Sequence, residues 1–332
     1  MGYAKLIRQY LFMLVMAARQ IVWNIRKLKD GPVFMPVVDF LVFLYYYFYC
    51  GLTPCAVDLD DQTTMNFWIS NHRRHDRPNL VIIHGCGADA ALQFSLQAKT
   101  LSKSFNLYIP DLLFFGKSYT KCKDRSTNFQ AKCVMQGLKR GFGVENCSVF
   151  CISYGGWVGY WMADMYPDEV EKIVIVSTGI GSTAAQKLEQ LKKVDKRVQD
   201  IVIPRDPEAL RFLVKSTVHK YDLTRVPEYF FWDLIMAKEN KNRIQKEELI
   251  EHVMLEDGDS QVTTLSQETL LVWGENDLFF PKHFAYQLQR RLEPKVRLEM
   301  LKETGHAANV DSPRELNELI ISFILEKPGT RA

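Results

Sequence analysis

Short apolar runs alternate with helical stretches along most of this chain, and that alternation limits its fold more than any other feature. Thr63–Ile69, Leu80–His84, Leu107–Ile109, Val149–Ile152, Ile173–Ser177, Thr269–Trp273 and Val296–Met300 are β-rich. Several are unbroken Val/Ile/Leu runs, the pattern of strands buried on both faces. Helical spacing follows at Ala91–Lys103, Phe129–Gly141, Gly155–Met165, Lys282–Leu292 and Arg314–Leu325. Strand and helix in turn predict an α/β protein whose mostly parallel sheet is covered on both sides. With 332 residues, 47% of them hydrophobic, the chain can bury one large core.

Residues 179–266 break the alternation. They are charged and helix-rich, with Pro204, Pro207 and Pro227 at the joints. Stripes such as Leu210, Leu213, Val214 and Tyr229, Trp232, Asp233, Met236 predict several short helices. The expected organisation is a core built from residues 36–178 and 267–327, with 179–266 inserted between two strands as a helical cap.

The net charge of +3 gives no argument for nucleic acid. It is concentrated at the N-terminus, where six basic residues (Lys5, Arg8, Arg19, Arg26, Lys27, Lys29) face one acid, Asp30, for a net +5. Tyr3, Ile7, Leu11, Leu14, Ala18, Ile21, Ile25 and Leu28 recur at helical spacing between them. Residues 1–35 therefore read as a basic amphipathic extension, suited either to an anionic membrane surface or to packing on the protein's own body. A secretory signal fits less well, because the stripe continues past Arg19 to Leu28. Met1-Gly2 lacks the Ser or Thr expected at position 6 for myristoylation. Phe40–Cys50 is aromatic and uncharged but shorter than the ~20 residues of a membrane span, so a buried or interfacial helix is expected. Seven cysteines, an odd number without a Cys-x-x-Cys, read as reduced thiols of an intracellular protein, cytoplasmic or peripherally membrane-associated. Asn146-Cys147-Ser148 matches a glycosylation pattern but runs into a predicted strand.

The chemistry centres on Val149-Phe150-Cys151-Ile152-Ser153-Tyr154-Gly155-Gly156. A buried strand runs straight into a serine and then a glycine-rich helix start, the setting of a nucleophile elbow. Small residues must crowd that turn, and the helix N-terminus favours developing negative charge. A serine needs a base, and the base an orienting acid, in the order Ser, Asp or Glu, His. Asp277 lies in the polar turn at the end of the strand Thr269–Trp273, and His306 follows the strand Val296–Met300 after a loop. The turn His84-Gly85-Cys86-Gly87 after another strand supplies an oxyanion site, with the backbone N–H groups of Cys86 and Tyr154 as donors. That turn lacks the spacing of a phosphate-binding loop. His84 reads as structural, and His72 and His75 as exposed loop residues. Cys151 should point away from the reacting carbonyl, because side chains alternate along a strand.

These residues resemble the α/β-hydrolase superfamily, and in particular plant hydrolases similar to monoacylglycerol lipases and carboxylesterases. The resemblance covers roughly residues 40–326. It rests on Gly51-Leu52-Thr53-Pro54, Asp61 to Trp68, Ile83 to Ala88, Pro110 to Ser118, Ser153 to Gly156, Trp273 to Asp277 and Gly305-His306-Ala307. It implies the α/β-hydrolase fold, a cap over an acyl pocket, a triad of Ser153, Asp277 and His306, and oxyanion donors at Cys86 and Tyr154. Asp111, Gly116 and Ser118 match a loop that is usually structural. The departures are Cys151 for the first glycine of Gly-x-Ser-x-Gly, and Cys86 where Phe is common. Serine at 153 sets the chain apart from epoxide hydrolases and dehalogenases, which use aspartate there. The expected activity is hydrolysis of a small-molecule acyl ester such as a monoacylglycerol, with no metal or cofactor. Amide or thioester hydrolysis, or a sensor role with a retained triad, are the alternatives, and the sequence does not set the oligomeric state.

Overall fold

A computed structural model describes residues 31–87, 89–192, 198–255 and 262–326. The expected amphipathic stripe of residues 1–30 lies outside them. The strands are β1 (Leu52–Asp58), β2 (Thr63–Ser70), β3 (Asn79–Ile83), β4 (Asn106–Pro110), β5 (Tyr119–Thr120), β6 (Cys147–Ile152), β7 (Val170–Val176), β8 (Glu268–Gly274) and β9 (Val296–Leu301). The helices are α1 (Phe34–Leu44), α2 (Ala90–Gln93), α3 (Ser95–Leu101), α4 (Thr127–Phe142), α5 (Tyr154–Met165), α6 (Ala184–Lys192), α7 (Val198–Val202), α8 (Pro207–Thr217), α9 (Glu228–Leu234), α10 (Arg243–Leu255), α11 (His283–Leu292), α12 (Ala308–Asp311) and α13 (Pro313–Leu325). Single π-helical turns follow α1 at Tyr45–Cys50 and α9 at Ile235–Glu239.

The strands lie in the order β1-β2-β4-β3-β6-β7-β8-β9, with β5 paired to β2. From β4 through β9 all neighbours are parallel, and β1 and β2 form an antiparallel margin. Alternation along the parallel strands sorts side chains into two cores. Val81, Ile83, Val149, Cys151, Ile173, Ile175, Leu271 and Trp273 pack under α4, α5 and α11. Leu80, Ile82, Phe150, Ile152, Val174, Val176, Leu270 and Val272 pack under α2, α3, α13 and the π turn after α1.

Three expectations change. Strand β1, absent from the predicted set, pairs with all but the first residue of β2. The two-residue β5 was also not expected. The single helix expected over Ala91–Lys103 is two, because Phe94 leaves helical geometry (φ −103°, ψ 19°) and buries its ring against Phe150. Phe40–Cys50 is helical and half-buried, with Tyr46 in the core donating its hydroxyl to Ala91 O. No helix among the described residues is long and apolar enough to cross a membrane.

Residues 179–266 run between β7 and β8 and hold α6 through α10. They carry a small core of their own, Leu210, Phe231 and Ile235. Asp233 accepts hydrogen bonds from Val33 N and Met35 N at the start of α1, tying that helix to this segment.

Candidate active site

Ser153 sits between β6 and α5 with φ +55° and ψ −122°, a conformation a non-glycine residue rarely adopts. Such a residue costs on the order of 1–3 kcal/mol and persists only where its surroundings hold it. Here Ser153 N donates to Val176 O at 2.9 Å, while Ser153 O accepts from Gly156 N at 2.9 Å and Thr178 Oγ1 at 3.1 Å. Gly155 is required by close approach, since a Cβ there would lie 2.4 Å from His84 O.

The cysteine at the elbow is accommodated one turn along α5. A Cβ on Gly159 would lie 2.5 Å from Cys151 Sγ, so the glycine that usually precedes the serine has an equivalent across the interface. Cys151 is fully buried in the core under α5, and burial raises its thiol pKa.

The structure brings Ser153, His306 and Asp277 together. His306 Nε2 lies 2.9 Å from Ser153 Oγ, and His306 Nδ1 lies 3.0 Å from Asp277 Oδ2. Asp277 Oδ1 accepts from Phe279 N and Phe280 N, both at 2.8 Å. With its carboxylate so engaged, Asp277 accepts the Nδ1–H of His306, which leaves Nε2 as the hydrogen-bond acceptor facing the Ser153 hydroxyl. All three residues follow the C-terminal ends of parallel strands β6, β8 and β9, where α/β sheets place their ligands.

The loop carrying His306 is held by residues the sequence did not single out. Buried Asp311 accepts from Gly305 N (2.8 Å), His219 N (2.8 Å) and Lys220 N (2.9 Å). Ala307 N donates to Thr217 O at 2.8 Å. The segment after α8 and the histidine loop thus share one carboxylate. The rings of Phe279 and Phe280 flank His306, with centroids 5.1 and 5.5 Å from it. Trp273 Nε1–H fixes Phe280 by donating to its carbonyl at 2.7 Å.

Cys86 follows the turn after β3, and Tyr154 follows the serine. The two turns meet closely, because a Cβ on Gly85 would lie 2.9 Å from Ser153 Cβ. Gly85 N donates to Gln93 Oε1 at 2.9 Å, another contact the sequence reading missed. His84 is structural. Its Nε2 accepts from Leu112 N (2.9 Å), so Nδ1 carries the proton and donates to Gly85 O (2.7 Å). Burial lowers its pKa to about 4. His72 and His75 are exposed. Asp111 and Ser118 brace the neighbouring loop. Asp111 accepts from Asn66 Nδ2, Ala90 N and Lys117 N, and Ser118 Oγ donates to Asp111 O. Gly116 follows in the same loop at φ +49°.

An apolar cavity of about 410 Å³ adjoins the histidine. Its walls include Val198, Ile201, Phe212, Met254, Leu278, Phe279, Phe280 and Phe284, with Lys187, Lys215 and Ser216 at the polar positions. Phe279 and Phe280 are therefore shared between the cavity and the flank of His306.

Among proteins of known kind, the chain is similar to monoacylglycerol lipase ABHD6 of Homo sapiens. The two are 23% identical over 333 residues, covering 92% of this chain and 96% of that one. It is 25% identical over 267 residues to a 2-hydroxy-6-oxononadienedioate/2-hydroxy-6-oxononatrienedioate hydrolase of Pseudomonas sp, covering 74% of this chain and 87% of that one. A bacterial membrane phospholipase A superposes with a TM-score of 0.72 at 18% identity, covering 96% of this chain and 98% of that one. Residues 78–313 match the alpha/beta hydrolase fold family, and the chain is a member of that family of hydrolases.

Proposed function

We propose that the protein is a serine hydrolase that cleaves a carboxylic ester of an apolar acyl group through an acyl-enzyme on Ser153. The observation that carries this reading is the hydrogen-bonded series Ser153–His306–Asp277 at a strained strand-to-helix turn. Ser153 Oγ attacks the carbonyl carbon as His306 Nε2 takes its proton. Asp277 holds the imidazole and stabilises imidazolium. The oxyanion receives the backbone N–H groups of Cys86 and Tyr154, each worth about 2.7–4 kcal/mol in such sites. His306 then returns the proton to the leaving alkoxide and activates the water that frees the acid.

Residues 179–266 serve as the cap, and the cavity beside Phe279 and Phe280 receives the acyl chain. Its volume lies within the roughly 300–1,000 Å³ typical of small-molecule sites. The name of the monoacylglycerol lipase relative agrees with a lipid ester, whereas that of the Pseudomonas relative gives a hydroxy-oxo-dienedioate or -trienedioate as substrate. The test is turnover of esters, amides and thioesters of graded acyl length by the full chain and by Ser153→Ala. Ester turnover that rises with chain length and vanishes in the variant supports the reading. A ligand-induced thermal shift without turnover would replace it with a sensor role.

A further inference from the structure

One face of α1 and its π turn is exposed among the described residues. Phe40 is 59% exposed, Leu41 57%, Phe48 76% and Tyr49 60%. Val37 and Tyr47 are exposed with them. The opposite face is committed: Met35, Tyr46 and Cys50 are buried, and the Tyr46 ring packs 4.8 Å from Trp68. Val37, Phe40 and Leu41 recur at spacings of three and four, so the exposed residues of α1 form a stripe rather than scattered positions. Isolated apolar residues on a surface need no explanation, but a contiguous patch of this kind marks an interaction site.

We infer that this face docks the protein on an anionic lipid surface. Phe34–Cys50 contains one charge, Asp39, and Lys238 pairs with it at 2.6 Å while also pairing with Asp89, so the rest of the face is uncharged. Phenylalanine supplies apolar area, and the tyrosines place ring and hydroxyl at the boundary between headgroup and acyl chain. Lys99 lies over the Tyr49 ring at 4.2 Å and donates to Tyr49 O, which puts a cation at the margin of the patch where a lipid phosphate would sit. The thirty residues that precede Gly31 carry a net +5 and join α1 through Gly31-Pro32. A polybasic segment continuous with an apolar face is the two-part signal that stable peripheral binding needs, with charge attracting anionic headgroups and rings entering the acyl boundary. Asp233 at the start of α1, and Lys238 bridging Asp39 to Asp89 beside the oxyanion turn, hold the docked face in fixed relation to the site.

The test is co-sedimentation of the full chain with phosphatidylcholine vesicles with and without phosphatidylserine. The double variant Phe40→Ser/Phe48→Ser alters only exposed rings. It should lower partition onto the anionic vesicles roughly 100-fold, while turnover of a water-soluble short-chain ester is unchanged. Ser153→Ala should bind vesicles like the parent, which separates this inference from the proposed chemistry. Phe48→Trp should shift its emission to the blue on those vesicles. Unchanged partition of the double variant, absence of the emission shift, or conversion of a lipid-free dimer to monomer by the double variant would each overturn the inference.

Discussion

The C-terminal edge of the sheet and the helical segment 179–266 are built by different means. At the sheet edge, Ser153, Asp277 and His306 follow neighbouring strands whose spacing is set by parallel ladders, above two cores of nearly unexposed side chains. Among the described residues the segment's own core is Leu210, Phe231 and Ile235; it also packs Val202, Ile203, Leu249, Ile250 and Val253 into the core under the sheet, and charged side chains add hydrogen bonds to carbonyls. Arg243 donates to Ile203 O and Pro204 O, Lys187 to Val253 O, and Lys246 to Lys238 O. Backbone ladders leave little freedom, so a reacting constellation placed on them is pre-organised. Side-chain hydrogen bonds to carbonyls can be exchanged, which suits a region that shapes a pocket. The comparison teaches where rate and where selectivity should reside: substitutions at the edge should cost turnover or stability, and those in the segment should change substrate preference.

The largest effect is expected at Asp277. Replacement by Asn keeps its shape but removes the acceptor that fixes the His306 tautomer, and should lower kcat about 10⁴-fold in steady-state ester hydrolysis. Next comes a pH effect on stability from His84. Its pKa in the fold is about 4, below the ordinary 6.5, because burial disfavours the cation. Above pH 6.5 it is neutral in both states. Between pH 6.5 and 4 only the unfolded chain takes the proton, so stability falls as pH falls. The stability advantage over His84→Gln should shrink by roughly 3 kcal/mol across that window in denaturant melts. Asp111, raised to about 6 mainly by desolvation, contributes with the opposite sign, but it is present in both proteins and cancels from the difference.

Asp311 joins the two regions. Asp311→Ala releases Gly305, His219 and Lys220, and should lower kcat about 10²-fold with little change in KM, because the base is displaced while the cavity persists. Gly159→Ala should destabilise by about 1–3 kcal/mol through overpacking against Cys151. Cys151→Gly should relieve most of that cost, a coupling readable from a double-mutant cycle in thermal melts. The smallest effect belongs to the segment itself. Met254→Trp narrows the cavity and should lower kcat/KM for long-chain esters about tenfold, sparing short ones. A large loss on short esters would erase the distinction between the two regions.

Much of the sheet edge could be read from the chain because its strands are continuous apolar runs and its serine, acid and base fall at strand ends in family order. Strand β1 escaped because it is a half-buried margin containing Pro54, without alternation or an apolar run. The break at Phe94 escaped because the residues on either side keep helical periodicity, and tertiary burial of the ring sets the bend. Gln93 and Asp311 escaped for a different reason. Each acts on backbone N–H groups that chain pattern does not report, and two of those Asp311 binds lie 91 and 92 residues away in sequence. The cysteine at 151 is tolerated because Gly159, eight residues on, leaves room for its sulfur, a pairing that chain pattern does not report.

The claim that everything else depends on is that Ser153 Oγ is the nucleophile. Treatment of the full chain with a fluorophosphonate, followed by peptide mass spectrometry, tests it most directly. The account predicts stoichiometric modification of Ser153, loss of ester turnover in proportion, and no labelling of Ser153→Ala. Modification of another residue, or undiminished labelling of the variant, would contradict it.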